Sequence, residues 1–157
     1  DYFKEVNDNN GHPYGDEVLI KLANTMQESF KSGICGRIGG DEFIIYLALD
    51  DANYDAIEKT IKEFKQNWQK NITTIDRSST ITLSIGGAYY PKHGKNYQEL
   101  WSNADKALYL SKIMVENRIS IYQSKQFSKG NCFMFKINRF VNNLRGQTYN
   151  KIRGGTC

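Results

Sequence analysis

Apolar positions along the chain follow two periods in turn. Val18, Leu19, Leu22, Met26 and Phe30 fall at helical spacing behind a start containing Gly, Pro and Asp, which predicts a helix over roughly Tyr14 to Lys31. A short apolar segment, Ile34 to Ile38, then runs into Gly39-Gly40-Asp41, and Phe43 to Leu47 is a β-branched and aromatic run. Two such strands about a glycine turn read as a β-hairpin. Ile57, Ile61, Phe64 and Trp68 resume helical spacing, with Asp50, Asp51 and Asn53 upstream as caps and Asn71 as the stop. Thr80 to Gly86 alternates with period two, as a strand with one buried face does. Leu100, Trp101, Ala104, Ala107, Leu108 and Ser111 line one side of a third helix, and Ile119, Ile121 and Tyr122 form a last strand. The order helix, hairpin, helix, strand, helix, strand predicts an α+β fold with helices packed on a mostly antiparallel sheet.

Composition narrows the class. The 157 residues suffice for one domain with a real core, and 39% hydrophobic content with 13% aromatics is that of a globular chain. No apolar run is long enough to span a bilayer, and Asp1-Tyr2-Phe3-Lys4-Glu5 lacks the pattern of a signal peptide. Cys35, Cys132 and Cys157 are odd in number and far apart, with only His12 and His93 as nitrogen ligands, so the expectation is reduced thiols and no zinc site.

Charge is uneven. Residues 124–157 carry Lys125, Lys129, Lys136, Arg139, Arg145, Lys151 and Arg153 without one acid, a net +7, which leaves fourteen basic and seventeen acidic side chains, a net −3, in residues 1–123. A boundary is therefore expected near Ser124, with a basic tail beyond it. Phe133, Ile137, Phe140, Val141 and Leu144 fit a helical stripe in that tail. The reading favoured is a docking helix or the start of a following segment, rather than a surface for membrane or nucleic acid.

Chemistry concentrates at the hairpin. Arg37-Ile38-Gly39-Gly40-Asp41-Glu42-Phe43 puts two glycines and two acids between apolar strands. Glycines let a backbone approach a phosphate, and adjacent carboxylates can hold a divalent cation against it. Gly-Gly-Asp alone is also an ordinary turn. Gly39 to Phe43 as a whole, however, would arise by chance in a chain this long roughly once in ten thousand, taking residue frequencies near 5–7%.

This pentapeptide is the signature of the GGDEF family, and the sequence resembles that family at four further places. Asp1-Tyr2-Phe3-Lys4-Glu5-Val6-Asn7-Asp8 is similar to its D-x-F-K-x-x-N-D string, and Gly11-His12-Pro13-Tyr14-Gly15-Asp16 to its G-H-x-x-G-D string. Ser84-Ile85-Gly86 and Ala104-Asp105-Lys106-Ala107-Leu108-Tyr109 resemble the later S-I-G and A-D-x-A-L-Y stretches, in order. The resemblance covers residues 1 to about 122 and implies a ferredoxin-like nucleotidyl-cyclase fold. It also implies a diguanylate cyclase that joins two GTP molecules into cyclic di-GMP with release of two pyrophosphates. Mg²⁺ is the implied cofactor, with Mn²⁺ as a substitute. The implied partners are a second protomer in a catalytic homodimer and an upstream sensory or receiver domain in a cytoplasmic or membrane-anchored parent protein.

By the same resemblance Asp41 ligates metal and accepts the proton, with Glu42 beside it, and Gly39 and Gly40 approach the nucleotide. Lys4 neutralises phosphate charge and Lys112 reaches the outer phosphates. Asn7, His12 and Asp16 contact the nucleotide, with Asn7 and Asp16 at the guanine edge and Phe3 and Leu19 as an apolar wall. Blander roles stay open for several of these: solvated lysines for Lys4 and Lys112, a helix-start acid for Asp16, loop packing for His12, and ordinary core for Phe3 and Leu19.

Three departures bear on activity. The family's first strand carries a metal-binding aspartate two residues before the position of Asp1, so an absent strand, an open position in the sheet and a missing metal ligand are expected. Glu116 stands where the family has an arginine that meets phosphate. Phe30-Lys31-Ser32-Gly33 stands where many members carry the R-x-x-D of an inhibitory product site. The alternative to a cyclase is a degenerate, non-catalytic GTP-binding regulatory module.

Overall fold

The computed structural model describes residues 2–48, 54–75, 81–113, 119–121 and 132–140. The elements in chain order are α1 (Tyr2–Asn10), α2 (His12–Ser29), β1 (Gly33–Gly39), β2 (Glu42–Ala48), α3 (Tyr54–Ile72), β3 (Thr82–Tyr90), α4 (Tyr97–Ile113), β4 (Ile119–Ile121) and β5 (Cys132–Phe140). The strands form one sheet in the order β1-β2-β5-β3-β4, antiparallel throughout except for the β3/β4 pair.

The sheet is covered on both faces. Alternation along β2 sends Phe43, Ile45 and Leu47 into a core shared with Val18, Leu22 and Met26 of α2, Ile61, Phe64 and Trp68 of α3, and Leu83 and Ile85 of β3. Trp68 is buried there with its indole N–H donating to the Ile81 carbonyl at 3.1 Å, so its polar atom costs little. Asn71 Nδ2 donates to Thr25 Oγ1 at 2.9 Å and ties the end of α3 to α2. On the opposite face α4 packs Leu100 and Ala104 against Ala88 and Met134, with Ile44 and Trp101 at the margin. Gly86 explains how close α4 comes: a Cβ there would overlap the backbone of Leu108 and Ala104.

Three elements differ from the sequence expectation. β3, read as a strand with one buried face, is buried on both, with Leu83 to Tyr89 all inside. Residues 2–10, read only as a motif, form a helix whose Val6 joins the core. The larger difference concerns the basic tail. Residues 132–140 are a strand, not a helical stripe, and this strand occupies the interior of the sheet, with Phe43↔Ile137 pairing on the β2 side and Ile85↔Ile137 on the β3 side. The expected open position within the sheet is thus closed by a segment from beyond Ser124. Ile137 lies in the main core, and Met134 and Lys136 are buried against α4. Burial on both faces blurs the period-two signal of such a strand, which is why a helical spacing fitted the same residues. Val141 and Leu144 of that stripe lie outside the described residues.

The buried ammonium of Lys136 sits 2.7 Å from Asp105 Oδ1 and 4.2 Å from the ring centroid of Trp101. One cation of the basic tail is therefore neutralised inside the fold by α4.

Candidate functional site

The hairpin between β1 and β2 turns through Gly40 at φ 51°, a left-handed conformation that glycine adopts at little cost. Arg37 Nε donates to the Gly40 carbonyl at 2.9 Å and braces the turn, and the register slips between Arg37 and Gly39. Gly39 and Gly40 are exposed, and a Cβ built on either meets nothing within 4 Å. The tip is open to a ligand. Asp41 is buried, at 8% exposure, and Glu42 is half-buried as the first residue of β2.

The opposite wall is a helical corner. Gly11, at φ 85°, breaks the chain between α1 and α2, and its N–H donates to the Asn7 carbonyl at 2.7 Å. Phe3 and Asn7 of α1 are half-buried and Lys4 is exposed, while His12 and Asp16 on α2 are exposed and Leu19 is buried. Asn7 Oδ1 is buried without a hydrogen-bond partner among the described residues. Between α2 and the hairpin runs a groove of about 250 Å³, lined by Leu19, Ile20, Met26, Cys35, Arg37 and Phe43 among others. Burial raises the Cys35 thiol above its ordinary range, so it stays protonated and unreactive at neutral pH.

The sequence-predicted residues thus gather in two groups. Phe3 and Asn7 meet over Gly15 at the α1/α2 corner, with Asp16 exposed on the next residue of α2, and Gly39 to Glu42 stand at the hairpin tip, with Leu19 on the groove beside Arg37 and Phe43. The backbone of Lys112 lies in the last turn of α4, which packs on the other face of the sheet; its side chain, and Glu116, lie outside the described residues. Arg37 also contributes, through its bond to the Gly40 carbonyl; its signal in the sequence is its place just before a Gly-Gly turn, from which a side chain can bond back across it.

Among the described residues no three His, Cys, Asp or Glu side chains cluster as a metal site. Asp41 and Glu42 nonetheless suit Mg²⁺, which takes one or two carboxylates and completes its shell with water and substrate phosphate. The interior strand adds no acid to them: Asn138 stands opposite Glu42, and Cys132–Phe140 contains neither Asp nor Glu. Phe30, at the first position of the inhibitory-site string, is buried with its ring centroid 5.2 Å from that of Phe64. Gly33, at the last, packs under Leu47, whose Cδ2 would lie 2.6 Å from an added Cβ.

A two-faced α+β sheet with a Gly-Gly-acid-acid hairpin at its rim is the arrangement that the resemblance to the nucleotidyl-cyclase class implied. The sequence profile described as diguanylate cyclase, GGDEF domain, matches residues 1–118, and the chain belongs to this family. It is 37% identical over 114 residues, 71% of its length, to diguanylate cyclase TpbB of Pseudomonas aeruginosa, covering 26% of that protein. It is 36% identical over 140 residues, 87% of its length, to the signaling protein YkoW of Bacillus subtilis, covering 17% of it. The chain therefore spans about a quarter or less of these relatives. The crystal structure of the TpbB GGDEF domain superposes with a TM-score of 0.64 at 30% identity, over 80% of this chain and 78% of that one.

Proposed function

We propose that this domain binds GTP and, paired with a second copy, condenses two GTP molecules into cyclic di-GMP. The observation that carries the reading is the hairpin tip: two exposed glycines with open space above them, followed by the carboxylates of Asp41 and Glu42. Such a tip lets a triphosphate lie along the backbone while the carboxylates face the reacting phosphate.

In each half-reaction the 3′-hydroxyl oxygen of one nucleotide forms a bond to the α-phosphorus of the other, and the bond to the pyrophosphate oxygen breaks. The hydroxyl proton passes to the Asp41 carboxylate, and Lys4 and Lys112 offset charge on the phosphates. Asp41 and Glu42 would hold Mg²⁺ or Mn²⁺, which supplies Lewis-acid polarisation of the phosphate oxygens. The reaction needs two GTP molecules facing each other, hence a homodimer with one nucleotide per protomer. Asn7 and Asp16 select guanine, because a carboxylate accepts from N1–H and the exocyclic amine where adenine offers no such pair. His12 lies beside the phosphates at the start of α2, and Phe3 and Leu19 give the base an apolar wall.

We place the domain in the cytoplasm, where GTP is found, downstream of a sensory or receiver domain. No described helix is long and apolar enough to cross a membrane. The basic residues beyond Ser124 belong to the domain's packing or to a following segment, as the Lys136–Asp105 pair suggests, rather than to a nucleic-acid or membrane surface.

A second reading rests on the interior strand. Strand β5, paired with the hairpin strand, sets Asn138 opposite Glu42 and brings no acid to it, which suits a non-catalytic GTP-binding regulatory module. Incubation of the full-length protein with GTP and Mg²⁺, followed by mass spectrometry, separates the two. Cyclic di-GMP supports the cyclase, and bound but unconverted GTP supports the module.

A further inference from the structure

We propose that Gly15 is a positioning residue for nucleotide selection, acting by seating the Asn7 side chain at the α1/α2 corner. This rests on the reading of the corner as the guanine site and deepens it. Gly15 lies in the first turn of α2, an 18-residue helix, where glycine is among the poorest helix formers. Its presence calls for a reason in space. It is buried, and a Cβ built on it would overlap Asn7 Oδ1, fall 3.0 Å from Asn7 Cγ and 3.2 Å from Phe3 Cζ.

The missing methyl is therefore the floor on which Asn7 and Phe3 of α1 rest, one residue before Asp16. The seat is steric rather than polar. Asn7 Oδ1 is buried against it and has no hydrogen-bond partner among the described residues, so contact with Gly15 holds the amide in place. The backbone around it is fixed: Gly11 N–H donates to the Asn7 carbonyl at 2.7 Å, and Gly15 N–H donates to the Gly11 carbonyl at 3.3 Å. Strain from an added methyl would be relieved by the Asn7 side chain, not by the helices. With Oδ1 seated, the hydrogen-bonding end that Asn7 offers a ligand is the Nδ2 donor, while Asp16 offers acceptors. The carboxylate takes the N1–H and exocyclic amine of guanine while the amide donor meets a ring acceptor; adenine has an acceptor at N1 and no amine at C2, so it leaves the carboxylate unpaired.

The test is calorimetric titration of GTP and ATP into the full-length protein and its Gly15→Ala, Asn7→Ala and doubly substituted forms, with melting temperatures alongside. Gly15→Ala is expected to lower GTP affinity by about tenfold or more, leave ATP binding unchanged, and leave the melting temperature equal or higher. In the Asn7→Ala background the same change should have little further effect, because the displaced group is already gone. Wild-type GTP affinity in Gly15→Ala, additive losses in the double form, or equal losses for both nucleotides would overturn the proposal while leaving the guanine site standing. No GTP binding by the wild type would overturn both.

Discussion

Asp16 and His93 set an exposed ionisable group beside a buried one. Asp16 is exposed on α2, so its removal touches little packing. Asp16→Ala is expected to weaken GTP binding with little change for ATP, and equal losses for both in calorimetry would return Asp16 to a helix-start role. His93 is buried, its Nδ1 accepting from the Tyr89 N–H at 3.1 Å while Asn103 Nδ2 donates to its carbonyl at 2.7 Å. Burial, with the Lys92 charge adding to it, lowers its pKa to about 4. Between pH 4 and 6.5 the unfolded chain then binds more protons than the folded one. The stability that the neutral ring contributes is complete above about pH 6.5 and is lost as pH falls toward 4, on the order of 2 kcal/mol. Denaturant melts of wild type and His93→Gln across that window should converge at low pH, and parallel curves would show that another group is responsible.

At the scale of elements, β2, α2, α3 and α4 were legible because each buries one face and so keeps its period, while β1 was legible from its place before the glycine turn. The α1 helix was not: nine residues with Phe3 and Val6 as the inward side chains give too few repeats to declare a helix. The interior strand was missed for the opposite reason, since Met134, Lys136 and Ile137 are all buried and the alternation is lost. The candidate site was readable as residue types but not as a place, because the approach of Phe3 and Asn7 to α2 depends on the space at Gly15, which no sequence period reports. Ile137 tests the interior strand. It pairs with both Phe43 and Ile85, so Ile137→Ala should cost about 2–5 kcal/mol in urea unfolding. A loss below 1 kcal/mol would mean that β5 is not part of the stable sheet.

For the whole molecule, the acidic hairpin tip lies at one rim of the sheet, and the string that stands at the place of the family's inhibitory site begins at the C-terminal end of α2. Phe30 is committed to the core against Phe64, and a side chain at Gly33 would have to displace Leu47. Lys31 is exposed one residue along, in the turn that follows α2, and its single ammonium is a poor replacement for a bidentate arginine. If the protein is a cyclase, its initial rate should stay flat as cyclic di-GMP is added, and a steep fall with the dinucleotide bound near residues 30–33 would show a rebuilt site. The central claim is that the Gly39 to Glu42 tip performs the chemistry. It is tested most directly by comparing cyclic di-GMP formation from GTP and Mg²⁺ by the wild type and Asp41→Asn, with circular dichroism confirming that both fold. The account predicts product from the wild type and at least a hundredfold less from Asp41→Asn. Equal rates from the two would contradict it.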